Sequence, residues 1–250
     1  MIKLTLAEKP TQLTDKLQQR LTEEYEQTGN DVWNKSFIKE AVAAMSFSKC
    51  VYSEVFLGEE AKYMEIEHFY CKSRYPDKVV EWGNLMASLK KCNVTKGKLD
   101  VAKHPIINPF EVFPCEHLYF QKYRYKAREG SEIGKNTIVY TAINDRKHFV
   151  RKRAKIGNKV IETLEELEDI MLEIQSNIST PQRKITKFCN KIKGLFQQGN
   201  RDEEYAALVS TVILEEDETP KLIEFLKQNN LWDSEFEELI DELEFCQLKK

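Results

Sequence analysis

Residues 160–178 read VIETLEELEDIMLEIQSNI, and this stretch constrains the fold more than any other part of the sequence. Its apolar side chains recur every three or four residues and fall on one stripe: Ile161, Leu164, Leu167, Ile170, Met171 and Ile174. That spacing is typical of an amphipathic helix covering a core. Similar periodicity predicts further helices at 183–197, 202–215, 220–230 and 234–246. The last third of the chain is therefore expected to be helical.

The earlier part of the chain mixes helical and strand-like patterns. Residues 7–28 predict a helix with Leu13, Leu17 and Leu21 on one face and Thr14 or Thr11 as its N-cap. A second helix is predicted in VWNKSFIKEAVAAM. The run MEIEHF has strand character, WGNLMASLKKCNVTKGK is interpreted as a turn entering a helix, and the aromatic segments 117–128 and 135–143 predict a hairpin. The predicted class is α+β.

Charge is distributed unevenly along the 250 residues, although the net charge is only −3. Residues 61–160 hold 21 Lys and Arg against 10 Asp and Glu, whereas residues 201–250 hold 5 against 15. This asymmetry favours different partners for the two parts, with solvated faces of opposite sign as the alternative. No run approaches the ~20 apolar residues of a membrane span, and the first residues lack a signal-peptide core. A cytoplasmic protein without membrane contact is expected, with six cysteines as thiols or metal ligands rather than a disulfide framework.

Residues 65–98 carry the groups that phosphodiester hydrolysis needs. His68 supplies a base whose pKa is ordinarily near neutrality. A carboxylate and an amide oxygen can hold one divalent ion on a phosphate, and a further amide can fix the geometry around the histidine. The stretch supplies such groups in Glu67, Asn84 and Asn93. The pattern predicts a metal-dependent nuclease site, while Asn93 taken alone could equally be a helix N-cap.

Four segments resemble the HNH endonucleases of the ββα-metal fold, in the variant with Asn at the third position: KCVYSE, EIEHFYCKSRYP, EWGNL and CNVTKGK. The resemblance implies a ββα-metal HNH core with N-terminal helices and a C-terminal helical region. It implies that His68 is the general base, that Glu67 and Asn93 bind one divalent metal ion, and that Asn84 braces the loop. Mg²⁺ is the expected ion and Mn²⁺ the alternative. Glu65 is an alternative ligand to Glu67.

The opening MIKL and the later NPFEVFPCEHLYF extend the similarity to one subfamily, the HNH subunit of the Septu anti-phage systems, called PtuB. That subunit acts beside an ATPase, in some cases within a retron cassette. The resemblance implies a nuclease effector with a PtuA-like ATPase partner. The expected domains are an N-terminal helical arm at 1–46, an HNH domain at 47–160 and a helical region at 161–250. The last region packs on the protein itself or docks a partner, either the ATPase or a second copy.

One departure from the HNH pattern concerns zinc. Many HNH domains hold a structural zinc with two Cys-x-x-Cys knuckles, whereas the matching positions here are Cys50 and Ser53, then Leu89 and Cys92. Two thiols are too few for a closed tetrahedral site. Structural zinc is therefore predicted to be absent, with apolar packing in its place.

Basic residues near the motif and in RKHFVRKRAK are predicted to bind nucleic-acid phosphates, because Lys and Arg dominate that affinity. They are Lys96, Lys98, Arg146, Lys147, Arg151, Lys152 and Arg153. The alternative for the basic run is a solvated strand edge. DNA is the favoured substrate, RNA such as tRNA is an alternative, and a catalytically silent scaffold or nucleic-acid-binding subunit is the alternative outside enzymes.

Overall fold

The computed structural model describes residues 1–58, 63–177 and 179–250. The chain divides into two compact units, each treated separately below. The first unit comprises Met1–Tyr119 and Tyr125–Asp145, and the second comprises Phe120–Arg124 and Arg146–Lys250. Helices and two-stranded sheets occur together, which confirms the predicted α+β class. The predicted functional domains at 1–46, 47–160 and 161–250 stay a prediction.

The first unit begins with two helices, α1 (Asp15–Thr28) and α2 (Ser36–Ala44). Thr14 is the N-cap of α1, because its side chain accepts a hydrogen bond from the Leu17 N–H. The helix ends where Gly29 adopts a left-handed φ of 70°, which glycine tolerates. Trp33 lies in the short turn between α1 and α2.

A strand, a loop, a strand and a helix follow, and they carry the nuclease-like motif. Strand β1 (Met64–His68) pairs antiparallel with β2 (Leu85–Leu89), so that Met64 lies opposite Leu89 and His68 opposite Leu85. Helix α3 (Lys90–Lys96) begins directly after β2. The sequence had indicated only a turn and a helix here. Because LMASL is apolar and buried nearly throughout, it lacks the alternation that distinguishes a half-buried strand.

The segment 117–143 corrects a second expectation. Strand β3 (Leu118–Gln121) and strand β4 (Arg124–Ala127) form their own two-stranded sheet, joined by Lys122 and Tyr123 at positive φ. The predicted partner segment 135–143 lies mostly in helix α4 (Glu132–Tyr140), so the predicted pairing was wrong. Ser131 caps this helix by accepting from the Gly134 N–H, a local signal that outweighed the β-branched composition.

The second unit is helical throughout most of its length, as predicted from periodicity. A π-helical turn over Arg146–Val150 leads into the long helix α5 (Arg151–Ser176). The remaining helices are α6 (Gln182–Gln197), α7 (Ala206–Glu215), α8 (Glu218–Gln228) and α9 (Ser234–Cys246). Helix α7 is buried over residues 206–213 and packs against α5, α8 and α9, so it forms the centre of this unit. Across the described part of the chain, no helix combines the length and apolarity needed to cross a membrane.

Candidate active site

The β1–β2 pair and α3 gather three of the four predicted motif residues at one cavity of about 440 Å³ in the first unit. Glu67 and His68, at the end of β1, line this cavity together with Asn93 of α3. This arrangement follows from the antiparallel register of the two strands. Helix α3 begins where β2 ends, and the end of β2 lies beside the beginning of β1. Glu67 and His68 of β1 are separated from Asn93 of α3 by a loop and by β2 along the chain, yet all three line one cavity.

His68 is held in one orientation by a backbone carbonyl. Its Nε2 lies 2.9 Å from the carbonyl oxygen of Val79. A carbonyl oxygen can only accept, so Nε2 carries the proton and Nδ1 keeps its lone pair. His68 is 5% exposed. Burial, followed by the charge of Lys72, lowers the pKa of His68 to about 3, while the hydrogen bond to Val79 acts in the opposite direction. The imidazole is therefore neutral at physiological pH and able to accept a proton at Nδ1.

Asn84 ties together the loop that carries the Val79 carbonyl. Its Oδ1 accepts from the Tyr70 N–H at 2.7 Å, and its Nδ2 donates to the carbonyls of Tyr70 at 3.1 Å and Lys78 at 2.8 Å. The side chain is buried, and three hydrogen bonds use most of its capacity. It acts on His68 through the backbone of Val79, the residue after Lys78, and it does not line the cavity.

Glu67 forms an ion pair inside the protein. Lys96 Nζ lies 2.5 Å from a Glu67 carboxylate oxygen and also donates to the His68 carbonyl at 2.7 Å. Glu67 is 2% exposed and Lys96 is 3% exposed. Burial raises the pKa of Glu67 to about 7, although the positive charge of Lys96 works in the opposite direction. The predicted role of Lys96 in binding nucleic acid is corrected accordingly, since its ammonium is enclosed by Glu67 and the chain of β1.

Asn93 contacts the neighbouring carboxylate of β1. Its Nδ2 donates to a Glu65 carboxylate oxygen at 2.8 Å, which leaves the amide oxygen as the group available to a ligand. Glu67 lines the cavity and Glu65 does not. The orientation of Asn93 is thus set by its hydrogen bond to Glu65.

The donor set at the cavity fits a hard divalent ion such as Mg²⁺. A carboxylate and an amide oxygen are hard ligands, and Mg²⁺ commonly takes few protein ligands while keeping several waters. A carboxylate has about four lone-pair positions, so its pairing with Lys96 leaves capacity on Glu67. Within residues 1–58, 63–177 and 179–250, no group of three or more His, Cys, Asp or Glu side chains could hold a metal, and the predicted ligand pair consists of one carboxylate and one amide.

Comparison with known proteins decides the family. No protein-family model matches the chain. The Septu protein PtuB of Bacillus thuringiensis is 36% identical over 244 residues, which cover 98% of this chain and 94% of that protein. The chain belongs to the PtuB family. The resemblance to PtuB noted from the sequence is thereby confirmed over nearly the full length, including the helical second unit.

In this PtuB-family chain, the positions of the two zinc knuckles still lie together. Cys50 and Cys92 are both buried, and Cys50 Sγ lies 3.8 Å from the Ser88 hydroxyl. The hydrogen bond between the two thiols raises the pKa of Cys92, and burial raises it further. Leu89 has no ligand atom in its side chain, so the four positions offer two thiols and one hydroxyl. The absence of a structural zinc stays a prediction.

The basic residues predicted to bind phosphate differ in accessibility within this PtuB-family protein. Lys98 is exposed and lines the cavity. In the second unit the π-helical turn and the start of α5 expose four cations: Arg146, Lys147, Arg151 and Lys152. Arg153 is fully buried, with its guanidinium 5.8 Å from the centre of the Phe120 ring. The predicted role of Arg153 is corrected for that reason, because helical geometry turns it inward.

Sequence reasoning missed three cavity-side residues. Lys72 and Tyr25 line the cavity, and Trp33 contacts the His68 ring edge to face with centroids 4.7 Å apart. Lys72 could have been noticed as a cation shortly after the Glu-His pair. Trp33 and Tyr25 belong to the segment assigned as a helical arm, and no local signal connects them to His68.

Proposed function

We propose that this protein is a metal-dependent HNH endonuclease that hydrolyses phosphodiester bonds of nucleic acid, with DNA favoured. The observation that carries the proposal is the state of His68, whose Nε2 is committed to Val79 and whose ring lines one cavity with Glu67 and Asn93. A neutral imidazole with one fixed tautomer has the lone pair with which a general base accepts a proton. Membership of the PtuB family supports the same proposal.

In this mechanism His68 Nδ1 accepts the proton of the attacking water. Glu67 and Asn93 would hold one Mg²⁺ ion, with Mn²⁺ as the alternative. When bound, such an ion neutralises charge on the scissile phosphate and on the leaving oxygen. Asn84 keeps the loop in place so that the Val79 carbonyl holds the imidazole, and Asn93 is aligned by its bond to Glu65.

Membership of the PtuB family supports a biological role as well. We propose that the protein is the nuclease effector of a Septu anti-phage system and acts with a PtuA-like ATPase subunit. The exposed Arg146, Lys147, Arg151 and Lys152, together with Lys98 at the cavity, are proposed to bind nucleic-acid phosphates. The helices of the second unit are proposed to provide the surface for the ATPase or for a second copy of the chain.

The test is incubation of the purified protein with plasmid DNA and with total RNA in Mg²⁺, with and without a PtuA-like ATPase subunit. Replacing the base should reduce cleavage by about 10²–10⁴-fold in His68→Ala. His104→Ala is the matched control, because His104 is exposed and lies outside the cavity lining. EDTA should abolish cleavage. RNA cleavage without DNA cleavage would establish the RNA alternative.

Two results would contradict the nuclease proposal. One is the lack of any Mg²⁺-dependent cleavage of either nucleic acid with the ATPase present, which would favour a silent scaffold. The other is equal cleavage by the wild type and His68→Ala.

A further inference from the structure

We propose that Lys72 binds the substrate phosphate at this site and that Trp33, from the N-terminal helical segment, positions it there. The inference rests on the proposed function, because it names the cation that meets the phosphate in that reaction. It differs from the sequence-based prediction, which named Lys96 among the phosphate-binding residues and did not include Lys72.

Lys72 carries a charge that is both near the catalytic residues and available. It is partly exposed and lines the cavity with Glu67, His68 and Asn93. Its positive charge lowers the pKa of both Glu67 and His68, as expected for an ammonium close to them. Yet Lys72 forms no ion pair with any carboxylate in the described residues. Lys96, by contrast, is buried in its pair with Glu67.

Trp33 is the aromatic partner of the Lys72 ammonium. The Lys72 ammonium lies 4.0 Å from the centre of the Trp33 ring, within the range of a cation–π interaction, for which tryptophan is the best aromatic partner. The same ring packs edge to face on His68, with an interplanar angle of 84°. Trp33 is 6% exposed and is supported in turn by Tyr25 of α1, at 5.8 Å between ring centres.

An aromatic partner has a different consequence from an acidic one. A carboxylate would neutralise the ammonium and compete with an incoming phosphate, whereas a ring attracts the cation through its quadrupole and adds no negative charge. The N–H groups of Lys72 that face away from the ring remain able to donate to phosphate oxygens. Trp33 therefore orients the cation and the base together, and the N-terminal segment becomes part of the active site.

The first experiment measures how salt affects the binding of a labelled DNA duplex in Mg²⁺, in a His68→Ala background that blocks cleavage. Each phosphate contact contributes about 0.9 to the slope of log K against log salt on duplex DNA. Lys72→Met should lower that slope by about 0.9 and Lys72→Arg should keep it. Lys135→Met is the control, because Lys135 is exposed on α4 outside the cavity lining and should leave the slope unchanged.

The second experiment measures cleavage kinetics with His68 intact. Losing one charged contact should raise KM about tenfold in Lys72→Met. Trp33→Leu should reproduce much of that change, and Trp33→Phe should restore activity because a ring remains under Lys72. Thermal unfolding of each variant identifies a loss of activity that comes from misfolding alone. Misfolding alone would leave the salt slope of the folded fraction unchanged.

The outcomes separate the two proposals. A Lys72→Met slope equal to that of Lys135→Met, or failure of every variant to bind the duplex, would overturn the role of Lys72. Equal activity of Trp33→Leu and Trp33→Phe would overturn the positioning role of Trp33. If the wild-type protein cleaves no nucleic acid and the salt slope of binding still depends on Lys72, the nuclease proposal is refuted. Lys72 then remains a phosphate-binding residue.

Discussion

Two regions were predicted from the sequence to serve one activity, and their physical construction differs. The catalytic hairpin, residues 64–96, encloses four polar side chains of its site and gives them specific partners: His68 with Val79, Asn84 with the loop, and Lys96 with Glu67. The basic segment, residues 146–155, presents most of its cations to solvent on helical turns. Function in the hairpin thus depends on geometry, whereas function in the basic segment depends on summed charge.

The hairpin should accordingly be sensitive to single substitutions, while the basic segment should respond gradually. Removing one partner of a buried ion pair leaves the other charge buried without an opposite charge beside it. Water cannot reach that charge to solvate it, so the folded state is destabilised. Exposed cations are hydrated whether or not a neighbour is present. The following predictions test this contrast, beginning with the largest expected effect.

The largest change is expected from Lys96→Met. It leaves the Glu67 carboxylate buried without its partner, so the free energy of unfolding should fall by about 3–5 kcal/mol. Denaturant unfolding in EDTA measures the effect without a metal contribution. The double variant Lys96→Met with Glu67→Gln should recover part of the loss, because the remaining amide carries no charge. A single variant as stable as the wild type would show that the ion pair does not anchor α3 to β1.

A somewhat smaller effect is expected from Asn84→Ala. It leaves the Tyr70 N–H and the carbonyls of Tyr70 and Lys78 without a partner, at about 1–3 kcal/mol for an unsatisfied buried group. Cleavage should fall as well, since the Val79 carbonyl would no longer be held in place. In Asn84→Asp the side chain can still accept from Tyr70 but cannot donate to either carbonyl, so its activity should stay low. Full activity in Asn84→Asp would contradict the bracing role.

Within the basic segment, Arg153 should behave like the hairpin residues. Its side chain is enclosed, so Arg153→Met should lower the free energy of unfolding by about 1–3 kcal/mol. The salt dependence of nucleic-acid binding should be unchanged, because a buried guanidinium does not meet a phosphate. A lower salt slope in the folded variant would show that Arg153 becomes accessible when nucleic acid binds.

The smallest effect on stability is expected from charge reversal at the exposed neighbours. Arg151→Glu and Lys152→Glu should each change the free energy of unfolding by less than about 0.5 kcal/mol. Each should lower the slope of log K against log salt by about 0.9, with additive effects in the double variant. Equilibrium binding of a duplex over a salt series measures this. An unchanged slope would assign these residues to the solvated surface.

Local pattern was a good guide where neighbouring residues decide the structure. Thr14 was one of two caps considered for α1, and the structure selects it because its hydroxyl reaches the Leu17 N–H. The stripe that includes Leu164, Leu167 and Met171 predicted the buried face of α5. Strand β2 escaped detection because a strand buried on both faces has no alternation to read.

The sequence by itself determined the order and spacing of Glu67, His68, Asn84 and Asn93, and the helical character of the second half. These features follow from residue type and from periods of two to four residues along the chain. Only the tertiary structure decided which lysine is enclosed and which is available, since Lys96 meets Glu67 across the hairpin and Lys72 meets Trp33 from a distant turn. The environment of a charge is set by whatever packs around it, and those partners are remote in sequence.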